Sequence, residues 1–160
     1  MTNTYAQLID VKRWADHGLF DAVEKSFDRL SNEDRFLMLR VLDHIHTVDK
    51  IFQHHLQGLP HGFTAPRSET MPELKALAQS AMAVDDWYAG HVGGMTPNEL
   101  DQHIDFTFTS GKPARMTKGE MILHVCLHGT YHRGNAGALL QLRGLTPGRD
   151  AITDFLEDAA

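Results

Sequence analysis

The sequence predicts an all-α protein built as a four-helix bundle, with a small β-hairpin between the third and fourth long helices. Four long segments repeat apolar residues at helical spacing, and capping residues, prolines or glycines bound them. One short segment instead alternates apolar and polar residues, as a strand does. Amphipathic helices must bury their apolar faces against one another, so four of them suit a bundle, although periodicity alone leaves the topology open.

The first two helices are predicted in the N-terminal third of the chain. The first covers about residues 4–30, and its apolar face carries Leu8, Val11, Ala15, Leu19, Ala22 and Phe27. Ser31 is predicted to cap the second helix, because acidic residues follow in its first turn. This helix is expected to end near Gln57, before a glycine and a proline. Its predicted inward stripe is Leu37, Val41, His44, Val48, Ile51 and His55.

The third helix is predicted to begin at the capping pattern Thr70-Met71-Pro72-Glu73 and to end at a pair of glycines, residues 93–94. Its stripe consists of Leu74, Leu77, Ala81, Val84 and Tyr88. A second capping pattern over residues 96–99 predicts a short extra turn.

The hairpin is predicted from the alternation of residues 104–109, followed by turn-forming residues 110–113. A capping box at residues 117–120 then opens the fourth helix, which is expected to continue to about Leu142. The tail from Asp150 is predicted to form one more short helix.

Composition restricts the class of protein. A length of 160 residues indicates a single domain over residues 1–160. Lysine and arginine number 15 against 21 acidic residues, so we expect no nucleic-acid partner. A single cysteine excludes an internal disulfide framework and a cysteine-rich zinc site, and it suits a reducing cytoplasm. Neither a signal core nor a membrane-spanning stretch is evident, so we expect a cytoplasmic protein with no membrane partner.

Histidine is over-represented, and its spacing predicts a metal site. His124, His128 and His132 follow one another in steps of four, each turning about 40° around the fourth helix. His128 and His132 fall within the apolar stripe, with His124 at its edge. Two imidazoles one turn apart can chelate one divalent ion, and His44 on the second helix is the third candidate. Three core imidazoles that meet are better explained by a metal than by three separate hydrogen-bonding arrangements.

Other metal chemistries fit less well. A carboxylate-bridged di-iron site needs Glu-x-x-His on two helices, whereas Glu120 lies four residues before His124. A thermolysin-like site needs a glutamate directly after the first histidine, where this chain has Gly129. Cys126 is turned about 200° from His128, so we assign it to packing. The remaining histidines, His46 among them, are assigned to other roles.

Three segments resemble the DinB family of damage-inducible proteins and metalloenzymes. They are residues 41–52 around His44, residues 124–135 around His128 and His132, and the weaker match Lys12-Arg13-Trp14-Ala15-Asp16. The resemblance covers nearly the whole chain. It implies a DinB-like four-helix bundle, often a homodimer, with a divalent metal, zinc or nickel, held by His44, His128 and His132. Asn135 stands where family members often have glutamine.

Two functions remain open. Three neutral imidazoles leave a coordination position for water or substrate, which is typical of a catalytic metal. The resemblance then implies a metal-dependent hydrolase, or a transferase or isomerase that uses a low-molecular-weight thiol on a small-molecule substrate. The alternative is a non-catalytic dimeric bundle with a structural or vestigial metal, closed by His124 as a fourth ligand. Spacing does not choose a general base between Glu120 and Asp43, and Tyr131 could be a wall residue.

A homodimer is expected from the chain itself as well. Trp14 and Phe20 are predicted off the inward stripe of the first helix or at its edge. Exposed aromatic residues on a bundle helix often mark an interface.

Overall fold

The computed structural model of the chain describes residues 3–159. Four long helices dominate this region: α1 (Thr4–Ser26), α2 (Asn32–Gln57), α3 (Leu74–Gly93) and α5 (Lys118–Leu142). Two short helices, α4 (Pro97–Leu100) and α6 (Ile152–Asp158), and a 3-10 turn (Phe27–Arg29) complete the helical part. The strands β1 (His103–Thr107) and β2 (Pro113–Thr117) lie between α4 and α5. The predicted bundle with its hairpin is therefore confirmed.

Helix packing resolves the topology. Helix α1 packs against α3 and α5, and α2 packs against the same two helices. The order around the bundle is thus α1, α3, α2, α5, with α1 diagonal to α2. This arrangement puts α2 and α5, which carry the candidate ligands, side by side.

The hairpin closes one end of the α2 and α5 pair. Its strands are antiparallel, with Ile104 opposite Met116 and Phe106 opposite Ala114. Phe106 is buried, and its ring centre lies 5.9 Å from that of Phe52 on α2. Strand β1 stops two residues before the predicted end at Thr109, because the turn bends back through Gly111 at a φ of 84°.

Three of the four predicted helix starts carry the expected caps. The Ser31 side chain accepts a hydrogen bond from the Asp34 backbone, and complete capping boxes form at Thr96 and Thr117. The predicted start at Thr70 was wrong. Helix α3 begins at Leu74, with Glu73 as an N-cap whose side chain makes no capping bond. The proline at position 72 disfavours helical backbone at the residue before it, so the chain stays extended until Glu73.

The core consists of two apolar clusters. One includes Ile9, Phe52, Tyr88 and Val125, and the other includes Leu19, Leu42, Ala81 and Leu140. Between them, every long helix contributes a buried charged residue: Lys12 and Asp16 from α1, Asp49 from α2, Asp85 from α3 and Arg133 from α5. A layer of charge therefore crosses the bundle and separates its two apolar halves.

Several predicted positions differ from the structure. Leu37, placed on the inward stripe of the second helix, is 50% exposed, whereas His46 is buried. Phe20, predicted at an exposed edge, is 7% exposed and belongs to the core. Trp14 is covered by α6, where its ring centre lies 5.8 Å from that of Phe155. These two aromatic residues therefore do not form an open face. Within residues 3–159, no helix has both the length and the apolar character needed to cross a bilayer.

Candidate metal centre

The three histidines singled out by their spacing lie together between α2 and α5. His44, His128 and His132 each offer a ring nitrogen, and these three atoms lie within 4.8 Å of one another. His44 Nε2 and His128 Nε2 are 3.0 Å apart. The ring centre of His44 lies 4.5 Å from that of His132. The predicted grouping is thus present, and this three-histidine group could bind a metal ion.

A loop over residues 58–73 orients His44. The Nδ1–H of His44 donates to the Pro66 carbonyl oxygen at 2.6 Å, which leaves Nε2 unprotonated in the neutral ring and facing His128. The backbone N–H of Ser68 donates to Asp43 Oδ2 at 2.9 Å, which ties the same loop to α2. Carbonyl oxygens commonly fix the ring orientation of metal-binding histidines in this way.

The two candidate ligands on α5 have different surroundings. His128 is half-buried, and its Nδ1 has no hydrogen-bond partner among the described residues. The Asn135 side-chain amide nitrogen lies 3.4 Å from His132 Nδ1. Asn135 is thus next to His132 and close to the three-histidine group.

Burial favours the neutral imidazoles that metals require. Desolvation, followed by the neighbouring His44, lowers the pKa of His128 to about 3. Desolvation, again followed by His44, also lowers the pKa of His132. Since only the neutral ring can ligate, all of these effects keep the nitrogens available at neutral pH.

The donor set fits a divalent transition metal. Two nitrogens bound to one tetrahedral zinc ion, each about 2.0–2.1 Å from it, lie roughly 3.3 Å apart. The 3.0 Å between His44 Nε2 and His128 Nε2 is close to that spacing. An all-imidazole set suits zinc, nickel and copper better than calcium or magnesium, which prefer oxygen.

An open cavity adjoins the centre. It measures about 420 Å³, and His44 and His132 form part of its wall. Arg40 and Arg67 line it as well, together with three apolar residues, Val41, Ala65 and Pro66. A ligand in this cavity would reach the histidine nitrogens from the loop side.

The other candidate residues have different roles. Glu120 Oε2 accepts the Thr117 N–H in the capping box of α5, and Asp43 holds the loop. Neither carboxylate therefore lines the cavity. His124 is outside the three-histidine group, and its ring lies against Phe52 with the centres 4.6 Å apart. The remaining candidate, Tyr131, is 70% exposed and lies beside His132 without lining the cavity.

The buried charged layer was not predicted from the sequence pattern. Lys12 Nζ lies 2.6 Å from Asp16, 2.7 Å from Asp49 and 2.7 Å from Asp85. Arg133, next to His132 in the sequence, donates to Asp16 at 3.0 Å and to Asp150 at 2.6 Å. A signal was present, because Lys12 and Asp16 are four residues apart on the face that carries Leu19.

Comparison with known proteins agrees with this architecture. The model of the DinB family matches residues 1–159. A crystal structure of a DinB-like protein from Bacillus cereus ATCC 10987 is 21% identical to this chain and superposes with a TM-score of 0.57, covering 83% of this chain and 91% of that one. No protein with a curated description matches significantly. Since the family match spans the bundle, the hairpin and all three histidines, the chain belongs to the DinB family.

Proposed function

We propose that the protein is a metalloenzyme whose divalent ion, zinc or nickel, is held by His44, His128 and His132. The observation that carries this proposal is the grouping of three imidazole nitrogens within 4.8 Å, with two of the histidines, His44 and His132, lining an open cavity. Structural zinc normally has four protein ligands, and the nearby His124 packs on Phe52 instead of joining the group. Three ligands beside a cavity suit a catalytic ion with a free position.

Bound there, a divalent ion would supply Lewis acidity, which lowers the pKa of a coordinated water or thiol and polarises a carbonyl group. The chain supplies the surrounding chemistry. Pro66 fixes the tautomer of His44, and the burial of His128 keeps that ring neutral. The loop residues Ala65 and Pro66 add apolar surface to the cavity beside the centre.

The cavity wall favours a thiol over water as the nucleophile. None of the described residues that line it is an aspartate or a glutamate, so no carboxylate is placed to take a proton from water. A thiol loses its proton far more readily, since its ordinary pKa is near 8.5. We therefore place a transferase or isomerase that uses a low-molecular-weight thiol ahead of a hydrolase.

The metal is tested by elemental analysis of protein purified without a histidine tag. We expect one divalent ion per chain in the native protein and none above background in His128→Ala. His17→Ala is the matched control, because His17 is exposed on α1 away from the group. Full metal occupancy in His128→Ala would overturn the ligand assignment.

The open position is tested on cobalt-substituted protein by visible absorption. A small thiol should shift the spectrum, and azide should do so less strongly. An unchanged spectrum with every small ligand, together with metal loss in His124→Ala, would instead establish a closed site with four histidines and a structural role.

We further propose a cytoplasmic homodimer acting on a small molecule. The buried Cys126 suits a reducing compartment. Leu127 and Tyr131, one turn apart on α5, are 69% and 70% exposed, and they form a candidate face for a second copy.

A further inference from the structure

The cavity beside the three histidines is positively charged in a protein of net charge −6. Two guanidinium groups, those of Arg40 and Arg67, line it, and none of its lining residues within 3–159 is acidic. Three uncharged residues, Val41, Ala65 and Pro66, line the cavity together with the arginines and the two histidines His44 and His132. Such a cavity combines an apolar passage with a localised positive charge.

The two arginines are positioned differently. Arg40 lies over the Phe36 ring, with its guanidinium carbon 5.6 Å from the ring centre. Its Nη1 donates to the Ser68 carbonyl oxygen at 3.2 Å and lies 3.5 Å from Asp43. Arginine has five N–H donors, so the donors on Nε and Nη2 remain for a ligand. Arg67 is exposed and pairs with no carboxylate among the described residues.

We propose that this cavity binds a small organic acid, with a carboxylate held by Arg67 and Arg40 while the other end of the molecule extends along the apolar wall toward the histidines. Guanidinium groups match the planar, two-oxygen geometry of a carboxylate. A volume of about 420 Å³ holds a molecule of metabolite size. This inference names the substrate class of the proposed enzyme and rests on that proposed function.

The probe is glutarate, a flexible dicarboxylate, compared with its uncharged analogue glutaramide. Binding is measured by isothermal titration calorimetry at low ionic strength, on zinc-loaded and metal-free protein. We expect glutarate to bind the zinc-loaded protein at least roughly tenfold more tightly than glutaramide. Because the arginines do not depend on the metal, weaker glutarate binding should persist in the metal-free protein.

The deciding variant is Arg67→Gln, which should weaken glutarate binding about fivefold or more and leave glutaramide binding unchanged. Arg29→Gln is the matched control, since it removes one exposed positive charge outside the cavity. Circular dichroism checks that both variants are folded. Arg40→Gln should also weaken binding, although it loosens the contact with Ser68 as well.

Two results would overturn the proposal. Equal affinity for glutarate and glutaramide would show that charge is not recognised. Glutarate binding that vanishes without metal and is unaffected by Arg67→Gln would assign the anion to the metal itself. Metal content measured on the same samples separates a failure of the proposed function from a failure of the proposed substrate class. A chain that binds no zinc contradicts the proposed function, whereas a zinc-loaded chain indifferent to Arg67 contradicts only the substrate class.

Discussion

The ammonium nitrogen of Lys12 lies 2.7 Å from Oδ1 of Asp85, and both side chains are almost completely buried. Asp16 and Asp49 contact the same nitrogen, so three carboxylates surround one lysine. Arg133 offsets part of the excess negative charge through Asp16. Burial, only partly opposed by Lys12, raises the pKa of Asp85 to about 8 and that of Asp49 to about 6.

This layer predicts a loss of stability toward alkaline pH. A carboxyl group whose pKa is higher in the folded than in the unfolded chain favours folding most below the unfolded pKa, near 4. That contribution is lost as pH rises through about 8 for Asp85. The free energy of unfolding, measured with urea between pH 6 and 9, should therefore fall, by at most about 1.4 kcal/mol per pH unit for this group.

Asp85→Asn should flatten that pH dependence, because the amide cannot ionise yet its oxygen can still accept from Lys12. If the free energy of unfolding falls equally with pH in Asp85→Asn and in the native protein, Asp85 does not cause the pH dependence.

Lys12→Met should destabilise the protein strongly. The substitution leaves the buried carboxyl groups of Asp16, Asp49 and Asp85 without their shared cation, and breaking a buried ion pair from one side costs about 3–5 kcal/mol. The matched control is Lys25→Met, which removes an exposed lysine paired with Asp21 at 2.6 Å on the same helix. Exposed pairs contribute less than about 1 kcal/mol. Similar losses in urea denaturation for both variants would contradict this prediction.

Gly129→Ala should lower the thermal midpoint, although alanine favours helix by about 1 kcal/mol. Its Cβ would lie 2.9 Å from Arg133 Nη1, and that guanidinium is held in place by Asp16 and Asp150. Gly134→Ala is the control on the same helix, because its Cβ would meet nothing within 4 Å. Gly134→Ala should raise the thermal midpoint. A higher thermal midpoint in both variants would mean that Arg133 moves aside freely.

Asp43→Ala should weaken zinc binding about tenfold, although Asp43 is not a candidate ligand. The loop that orients His44 is tied to α2 by the bond from Ser68 to Asp43, so its loss frees the Pro66 carbonyl. Chelator competition measures the affinity. Asp105→Ala, at an exposed position in the hairpin, should bind zinc like the native protein. Unchanged zinc affinity in Asp43→Ala would show that the loop does not contribute to zinc binding.

Leu127→Asp should convert the expected homodimer into a monomer. Light scattering at micromolar concentrations measures the mass. Leu142→Asp is the control, since Leu142 is exposed to a similar degree but lies about 22 Å further along α5. A native chain that is already monomeric would contradict the dimer itself, and a dimer that persists in Leu127→Asp would place the interface elsewhere.

The periodicity of the sequence was sufficient to predict the four long helices and the histidine group. His128 and His132 are one turn apart on a helix with a clear apolar stripe, so their position followed from spacing. His44 does lie in the three-histidine group, although the stripe assigned around it was partly wrong, as the exposed Leu37 shows. That error has a physical cause. On α2 the buried face includes Asp43, His46 and Asp49, and polar residues are ordinarily assigned to the surface.

Long-range and loop features could not be predicted in the same way. The pairing of Lys12 with Asp49 and Asp85 joins three helices, and no local pattern encodes which helices are neighbours. The contact between Pro66 and His44 depends on the path of an irregular loop, which has no periodicity. Spacing also does not show that Arg133 crosses α5 at Gly129, where an added Cβ would lie 2.9 Å from its Nη1, whereas one at Gly134 would meet nothing within 4 Å.

The charged layer also limits how sequences of this kind can diverge. A single replacement of Lys12 or Arg133 leaves buried carboxyl groups without a partner of opposite charge. Exchanging a whole buried ionic set for well-packed apolar residues is, by contrast, often neutral or even stabilising. Chains in which only part of the layer has been replaced are thus much less stable than chains with the complete layer or with none of it. Drift by one substitution at a time is therefore blocked at these positions, and descendants are expected to keep or to lose the members of the layer as a set.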